Sequence, residues 1–488
     1  VLGGNVDTVI PHRMKDGYGL NDRLIEDAYE AGIQTIITCD NGIAAASQIA
    51  LAVEKKMTVV VTDHHEVPYV EENGVRTQVL PPAAVVVDPK QADCKYPNPG
   101  ICGAVVAYKL IELMFRKSKV SYEERQACME EFMQLAAVAT VCDVMDLLDE
   151  NRIIVKEGLK RIRKAPCMGL KALIEANGVE PSRLNAFHLG FVIGPCLNAT
   201  GRLDSAVRAL ELLRAKDAVS AVRIAGELKE MNESRKAMTL QGVKQAAEQI
   251  EKEHLAEDKV LVIFLPDCHE SLAGIIAGRV KEQYGKPTFV LTRGEEGLKG
   301  SGRSIESYHM YDAMVACREL FTKFGGHKMA AGLSLEEKNL EELRRRLNAQ
   351  CTLTEEDFQP KVHIDVPMPL AYATGQLAEE FEILEPFGNA NPKPLFATKN
   401  VVFRFGRKMG KQGTFAKYTV TQEGKTYELV FFGGLDKFHA YLDGKFGEGA
   451  SGRLYEKECE FPLSVTYRIG LNSFRGKTEL QLLMENYQ

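Results

Sequence analysis

No two of the 11 cysteines in this 488-residue chain have C-x-x-C spacing, and their number is odd. A disulfide framework and a zinc knuckle are both disfavoured by that arithmetic. Thiols in apolar stretches, such as Cys39, Cys102 and Cys142, point instead to a reducing, cytoplasmic setting. No apolar run approaches the roughly 18 residues that a membrane span needs, and no signal-peptide pattern opens the chain. No fixed period recurs, which sets aside solenoids and collagen-like chains. A basic excess is missing too: 61 Lys+Arg stand against 67 Asp+Glu, for a net charge of −6. That excludes a wholesale basic coat for nucleic acid, though not a local basic groove. No convincing Ser/His/Asp or Cys/His nucleophile is present.

What remains is ordinary globular material, 45% hydrophobic and 26% charged. At about 100–200 residues per domain, the length accommodates roughly three domains. Charge is unevenly spread. From position 395 onward 14 Lys+Arg face 10 Asp+Glu, a net +4, so the tail is the only net-basic region.

The first ~210 residues alternate β-branched runs with helical spacing. Thr8-Val9-Ile10, 35–38, 58–62 and 84–87 read as strands, with helices over 20–31 and 44–55. That alternation predicts a parallel sheet covered by helices. Helices follow over 103–118, 123–142 and 151–164. The stretch 205–253 holds no Pro and reads as long helices, either a connector between lobes or further helices of the first lobe. A second α/β unit is expected from strands at 259–265 and 288–291 and helices at 272–284, 311–323 and 336–350. Short alternating strands at 401–405, 415–421, 427–432 and 464–470 suggest a small closing β-barrel. The resulting division is 1–213, a connecting helix over 214–253, 254–352 and 353–488.

The strongest chemical signal is Asp63-His64-His65, placed directly after the strand 58–62, where ligands gather in open α/β sheets. Asp40 follows the strand 35–38 in the same way, within TCDNGI. If the two strands are neighbours, both carboxylates and both imidazoles face one crevice. A mixed Asp/His set suits a divalent ion such as Mn²⁺. Asp143 ends the apolar helix QLAAVATVCDVMDLL, where a carboxylate needs a partner such as a metal. Taken singly, an Asp after a strand is usually a helix cap, and adjacent histidines on a loop are usually solvated.

Together, Asp63-His64-His65, TCDNGI and ATVCDVMDL resemble the DHH phosphoesterase superfamily. IPHRMKDGYGL, IGPCLNATGRL, LPDCHESLAGIIAGRV, GSGRS, FGGHKMAAGL and LEPFGNANPKPLF, in this order, narrow the resemblance to the bacterial RecJ-type single-strand-specific exonucleases. The resemblance implies a DHH domain, a DHH-associated domain and an oligonucleotide-binding (OB) barrel. It further implies a two-metal centre, with Asp40 shared between two Mn²⁺ or Mg²⁺ ions and His64 and Asp143 completing one site. His65 stands near the scissile phosphate as a ligand or donor, and Asp63 orients the histidines. Asn198 and Arg202 from the first lobe, with Ser301, Arg303, Gly325, Gly326 and His327 from the second, are implied as phosphate contacts. Gly-Gly-His alone reads equally as a tight turn, and His269 as a helix cap or a weak ligand. In the barrel, Arg404, Arg407, Lys408 and Lys411 are the candidate nucleic-acid contacts, interleaved with Phe403, Phe405, Phe415 and Tyr418.

The same resemblance places an Asp-x-Asp-Gly motif upstream of Val1. We therefore read the chain as a fragment and expect its metal centre to be incomplete. Cys196 stands where the family usually has Arg, which is expected to remove a phosphate contact. Asp146 replaces a usual Pro, without expected consequence for the site. The implied activity is 5′→3′ hydrolysis of single-stranded DNA in repair and recombination. Implied partners are single-stranded DNA, a helicase and a single-strand-binding protein, for a monomer off the membrane. Two alternatives stand beside it: a phosphodiesterase for short oligoribonucleotides or cyclic dinucleotides, and a non-catalytic scaffold for single-stranded DNA.

Overall fold

A computed structural model of the chain describes residues 2–11, 16, 19–203, 205–294, 297–359, 361–410, 413–474 and 477–488. The chain divides into two compact units, Val1–Met145 with Asp149–Pro360, and Asp146–Leu148 with Lys361–Gln488. No described helix is long and apolar enough to cross a membrane.

In the first unit the runs TII, TVVVT and VVV form the strands Thr35–Ile37, Thr58–Thr62 and Val85–Val87, parallel and adjacent in that order. Helix Asp22–Glu30, ahead of the first strand, and helix Ala46–Glu54, between the first and second, bury Ile25, Ile49 and Ala52 with Val59 and Val61. The side chain of Asn21 starts the first helix by accepting from the Leu24 amide at 2.9 Å. The expected strand at Thr8-Val9-Ile10 does not form, and Val9 is largely exposed. β-branched residues favour a strand only where a neighbour supplies a ladder and an apolar face. A hairpin, Tyr69–Glu72 with Val75–Gln78, lies where no strand was expected. Cys39, read as lying in an apolar setting, is exposed, whereas Cys102 is buried.

Helices Gly103–Lys117, Tyr122–Cys142 and Asp149–Lys164 follow the expected bounds closely. The last two pack so tightly that a Cβ on Gly158 would stand 2.2 Å from Cβ of Ala137 and 2.8 Å from the Met133 carbonyl oxygen. The stretch 205–253 resolves into Val207–Leu213 and the 35-residue helix Ala218–Lys252. The long helix buries Ala221, Ile224, Ala225 and Leu228 near its start, and near its end it places Ala246 and Ile250 in the core of the second lobe.

That lobe is a five-stranded sheet in the order Leu261–Phe264, Thr288–Gly294, Gly297–Arg303, Ala330–Leu335, Phe321–Gly326. The helix expected over 311–323 stops at Val315. Phe321–Gly326 instead forms a hairpin with Ala330–Leu335, and ladder hydrogen bonds override the helical spacing. Gly297–Arg303 escaped notice because its glycines carry no β signal.

In the second unit five strands, Phe396–Met409, Phe415–Gln422, Lys425–Phe431, Phe461–Phe474 and Lys477–Tyr487, close into a barrel. Phe403, Tyr418 and Tyr467 fill its interior, and Phe438 of the helix Leu435–Phe446 packs on them. Asp146 is not inert here. Its carboxylate accepts from Asn389 Nδ2 at 2.7 Å, and the Leu147 amide donates to the Asn389 carbonyl.

Gly158→Ala should destabilise the first unit, because overpacking costs about 1–3 kcal/mol and exceeds the roughly 1 kcal/mol gained in helix propensity. Urea unfolding checks this; a midpoint equal to or above that of the parent protein would contradict so close an approach of the two helices.

Candidate metal centre and cleft

The parallel register pairs Ile37 with Val60, and the ladder runs on past the strand as the Asp40 amide donates to the Thr62 carbonyl at 3.0 Å. The two strand ends therefore stop side by side. Asp40 adopts a left-handed backbone, φ +64°, and its carboxylate lies against the start of the helix Gly103–Lys117. A Cβ on Gly103 would come within 2.5 Å of Asp40 Oδ1. That approach is open only to glycine.

Asp63 is almost wholly buried. Oδ2 accepts from the Ile43 amide at 3.0 Å, and Oδ1 from the amides of His64 at 2.8 Å and His65 at 3.3 Å. Its Oδ1 is also 2.6 Å from Nδ1 of His65. Burial pushes this carboxyl upward, but the hydrogen bonds from His65, Ile43 and His64 outweigh it and hold Asp63 below its ordinary range. A neutral His65 whose Nδ1–H donates to Asp63 has its lone pair on Nε2.

His64 is buried, and its Nε2 lies 3.0 Å from Asp40 Oδ1 and 3.4 Å from Asp143 Oδ2. The hydrogen bond to Asp40 raises the His64 imidazole above its usual value against the opposing effect of burial. His65 is raised by its hydrogen bond to Asp63. Asp143 caps the helix Tyr122–Cys142 and is raised chiefly by burial, with the His64 charge opposing. Its side chain is nonetheless 46% exposed, so the carboxylate expected at a buried helix end faces the crevice instead.

Donor atoms of Asp40, His64 and His65 lie within 4.8 Å of one another, and Asp143 reaches the same imidazole. Oxygen and imidazole donors without thiolate fit Mn²⁺ or Mg²⁺. Asp88 was missed by the sequence reading, although it follows the strand Val85–Val87 just as Asp40 and Asp63 follow theirs. It is buried, and among the described residues its Oδ2 has no hydrogen-bond partner. Burial raises its carboxyl.

Beside this centre a cavity of about 150 Å³ is lined by Cys142, Gly190, Gly194, Pro195, Asn198, Arg202, Arg235 and Ile275. Asn198 and Arg202, four apart on the helix Gly194–Leu203, both line its wall. Arg202 Nη1 also reaches the Ser271 carbonyl of the second lobe at 2.8 Å. Helical phase turns Cys196 the other way. It is fully buried against Asn177, so the position read as a lost phosphate contact does not face the cavity. Arg235 was not anticipated; burial and the like charge of Arg279 both lower it.

Among the described residues Arg303 has no carboxylate partner; burial lowers it, and its Nη1 donates to the Gly302 carbonyl. The ladder puts Arg303 opposite Ala330 and Ser301 opposite Gly332; Gly325 and Gly326 end the neighbouring strand, and His327 opens the turn that follows. His327 is exposed on that turn, and its Nδ1 accepts from the Met329 amide. His269 is a cap, its ring accepting from the Ser271 amide. In the barrel, Arg404 pairs with Glu460 and donates to Thr421. Lys408 lies over the Tyr455 ring, and Arg407 is exposed with no acidic partner among the described residues. Lys411 lies outside the described residues.

Residues 1–140 match the model of the DHH family N-terminal domain, 257–353 that of the DHHA1 domain and 364–486 that of the RecJ OB domain. The chain is 33% identical over 499 residues to the single-stranded-DNA-specific exonuclease RecJ of Salmonella typhimurium, covering 99% of this chain and 82% of that protein. It is 35% identical over 435 residues to the same-named protein of Bacillus subtilis, covering 88% of this chain but only 53% of that one. Its fold is similar to the crystal structure of RecJ in complex with Mn²⁺ from Thermus thermophilus, with TM-score 0.75 and 25% identity, covering 96% of this chain and 63% of that one. Similarity of this extent, with all three domain matches in order, shows that the chain belongs to the RecJ family.

Proposed function

We propose that this chain carries the core of a metal-dependent exonuclease that hydrolyses phosphodiester bonds of single-stranded DNA 5′→3′, in repair and recombination. The convergence of Asp40, Asp143 and His64 at paired strand ends supports this most directly, since His64 Nε2 faces both carboxylates within 3.4 Å. Asp40, His64, Asp143 and the Nε2 of His65 would hold divalent cations. Such ions supply Lewis-acid stabilisation of the attacking and leaving oxygens of a phosphodiester and a hydroxide at neutral pH.

The other residues bind and orient. Asp63 holds the His64-His65 loop in one shape through three amides and an imidazole. Arg202 and Arg235 place positive charge on the cavity wall next to Cys142, the residue preceding Asp143. Arg303 and the His327 turn extend donors along one end of the second sheet. A phosphate in such a site gains charge-assisted hydrogen bonds that water alone would not provide. The barrel, with Arg407 and Lys408 exposed, offers a second, sequence-tolerant hold on the strand.

Asp40→Ala should abolish turnover of a single-stranded oligonucleotide in Mn²⁺ while leaving its binding intact; full residual rate would refute the metal assignment. Gly103→Ala should crowd Asp40 aside and weaken Mn²⁺ affinity by about 10–100-fold, the usual cost of disturbing a ligand's support. Calorimetric titration reads this out, and unchanged affinity would show that Asp40 needs no such room. Arg303→Ala should weaken strand binding and lower the slope of log K against log salt by about 0.7, one phosphate contact on a single strand. A parallel fall with an unaltered slope would place Arg303 away from phosphate.

A further inference from the structure

Phe187 and Phe191 are 61% and 69% exposed, and their rings stack with centroids 4.9 Å apart and planes 25° from parallel. Single exposed apolar residues are ordinary. A stacked exposed pair on a fixed backbone is not. The backbone is fixed twice. Asn185 and His188 form a reciprocal capping box at the start of Ala186–His188. The π-helical turn Leu189–Ile193 follows, with Leu189 and Ile193 fully buried beneath it. π-turns inside helices cluster at functional sites. The turn runs directly into Gly194–Leu203, and Gly190, Gly194, Pro195, Asn198 and Arg202 all line the cavity beside the metal centre. The ring pair therefore stands on the segment that forms the cavity wall, within one turn of that wall.

We propose that Phe187 and Phe191 form a stacking platform for a nucleobase of the single strand whose backbone is held at Arg202 and Arg235. Phenylalanine has no hydrogen-bonding group, so the platform reads π-faces rather than base edges and tolerates any base. The charge beside it selects the occupant. Two cavity arginines call for an anionic backbone, the rings stand on the segment that lines the same cavity, and a single strand carries both features together. This inference rests on the proposed nuclease reading and adds the place where an unpaired base is held. A duplex, whose bases are already stacked, gains nothing from the platform.

Strand binding by the intact chain, measured in EDTA so that no hydrolysis occurs, tests it. Phe187→Leu/Phe191→Leu should weaken binding of a deoxyoligonucleotide by about tenfold or more, the loss of one stacked base, with an unchanged melting temperature because both rings are exposed. Phe191→Trp should retain the parent affinity. For the parent protein, an abasic nucleotide at one position of the strand should weaken binding, and the double Leu variant should be indifferent to that same substitution. If the parent binds strand but the Leu variant binds equally well, the platform is overturned and the nuclease reading stands. If the parent is a concentration-dependent dimer that the Leu variant abolishes without loss of strand binding, the rings serve self-association and the platform is likewise overturned. If the parent binds no single strand at all, both readings fall together.

Discussion

One buried carboxylate organises the centre. Asp63 is removed from water, and an ionised carboxylate tolerates that only when its lone pairs are met. The Ile43 amide meets one oxygen; the His64 and His65 amides and the His65 ring meet the other. Ile43 belongs to the loop that follows Asp40, so the same side chain ties the two strand-end loops together. With that tie in place, His64 has one direction to point, between Asp40 and Asp143. Asp143 arrives independently, on the end of a helix whose packing against Asp149–Lys164 leaves no room for a side chain at Gly158. The centre is thus set by a hydrogen-bonded anchor on one side and a helix contact on the other.

The cleft follows a different logic. Its Arg235, like Arg303 on the second sheet, is partly desolvated rather than displayed: burial lowers both. A guanidinium taken from water without an acid partner leaves donors for an incoming anion. The net charge of −6 conceals this, because what matters for a phosphate is the sign of charge on one wall and not the sum over the chain. In the barrel the relation is reversed. Of the basic residues read together there, Arg404 pairs with Glu460, whereas Arg407 is exposed with no acidic partner among the described residues.

Much of this is legible in the sequence. Short β-branched runs followed by Asp mark the strand ends, and the parallel pairing of 35–37 with 58–62 turns two separate motifs into one crevice. Asp88 carries the same signature after 85–87 and escapes notice because no motif draws attention to it. Thr8-Val9-Ile10 shows the converse, a β-rich run without a described strand partner. The segment 316–323 misleads because its helical spacing runs into Phe321–Gly326, which finds a strand to pair with. Cys196 illustrates the limit of reading by motif. Its neighbours Pro195 and Asn198 face the cavity, and the helix turns the thiol into the core.

The most direct measurement is anomalous diffraction at the manganese edge from crystals of this chain grown with Mn²⁺. The account predicts a peak bonded to His64 Nε2 and to carboxylate oxygens of Asp40 and Asp143. A peak elsewhere, with those three side chains still joined only to one another, would contradict it.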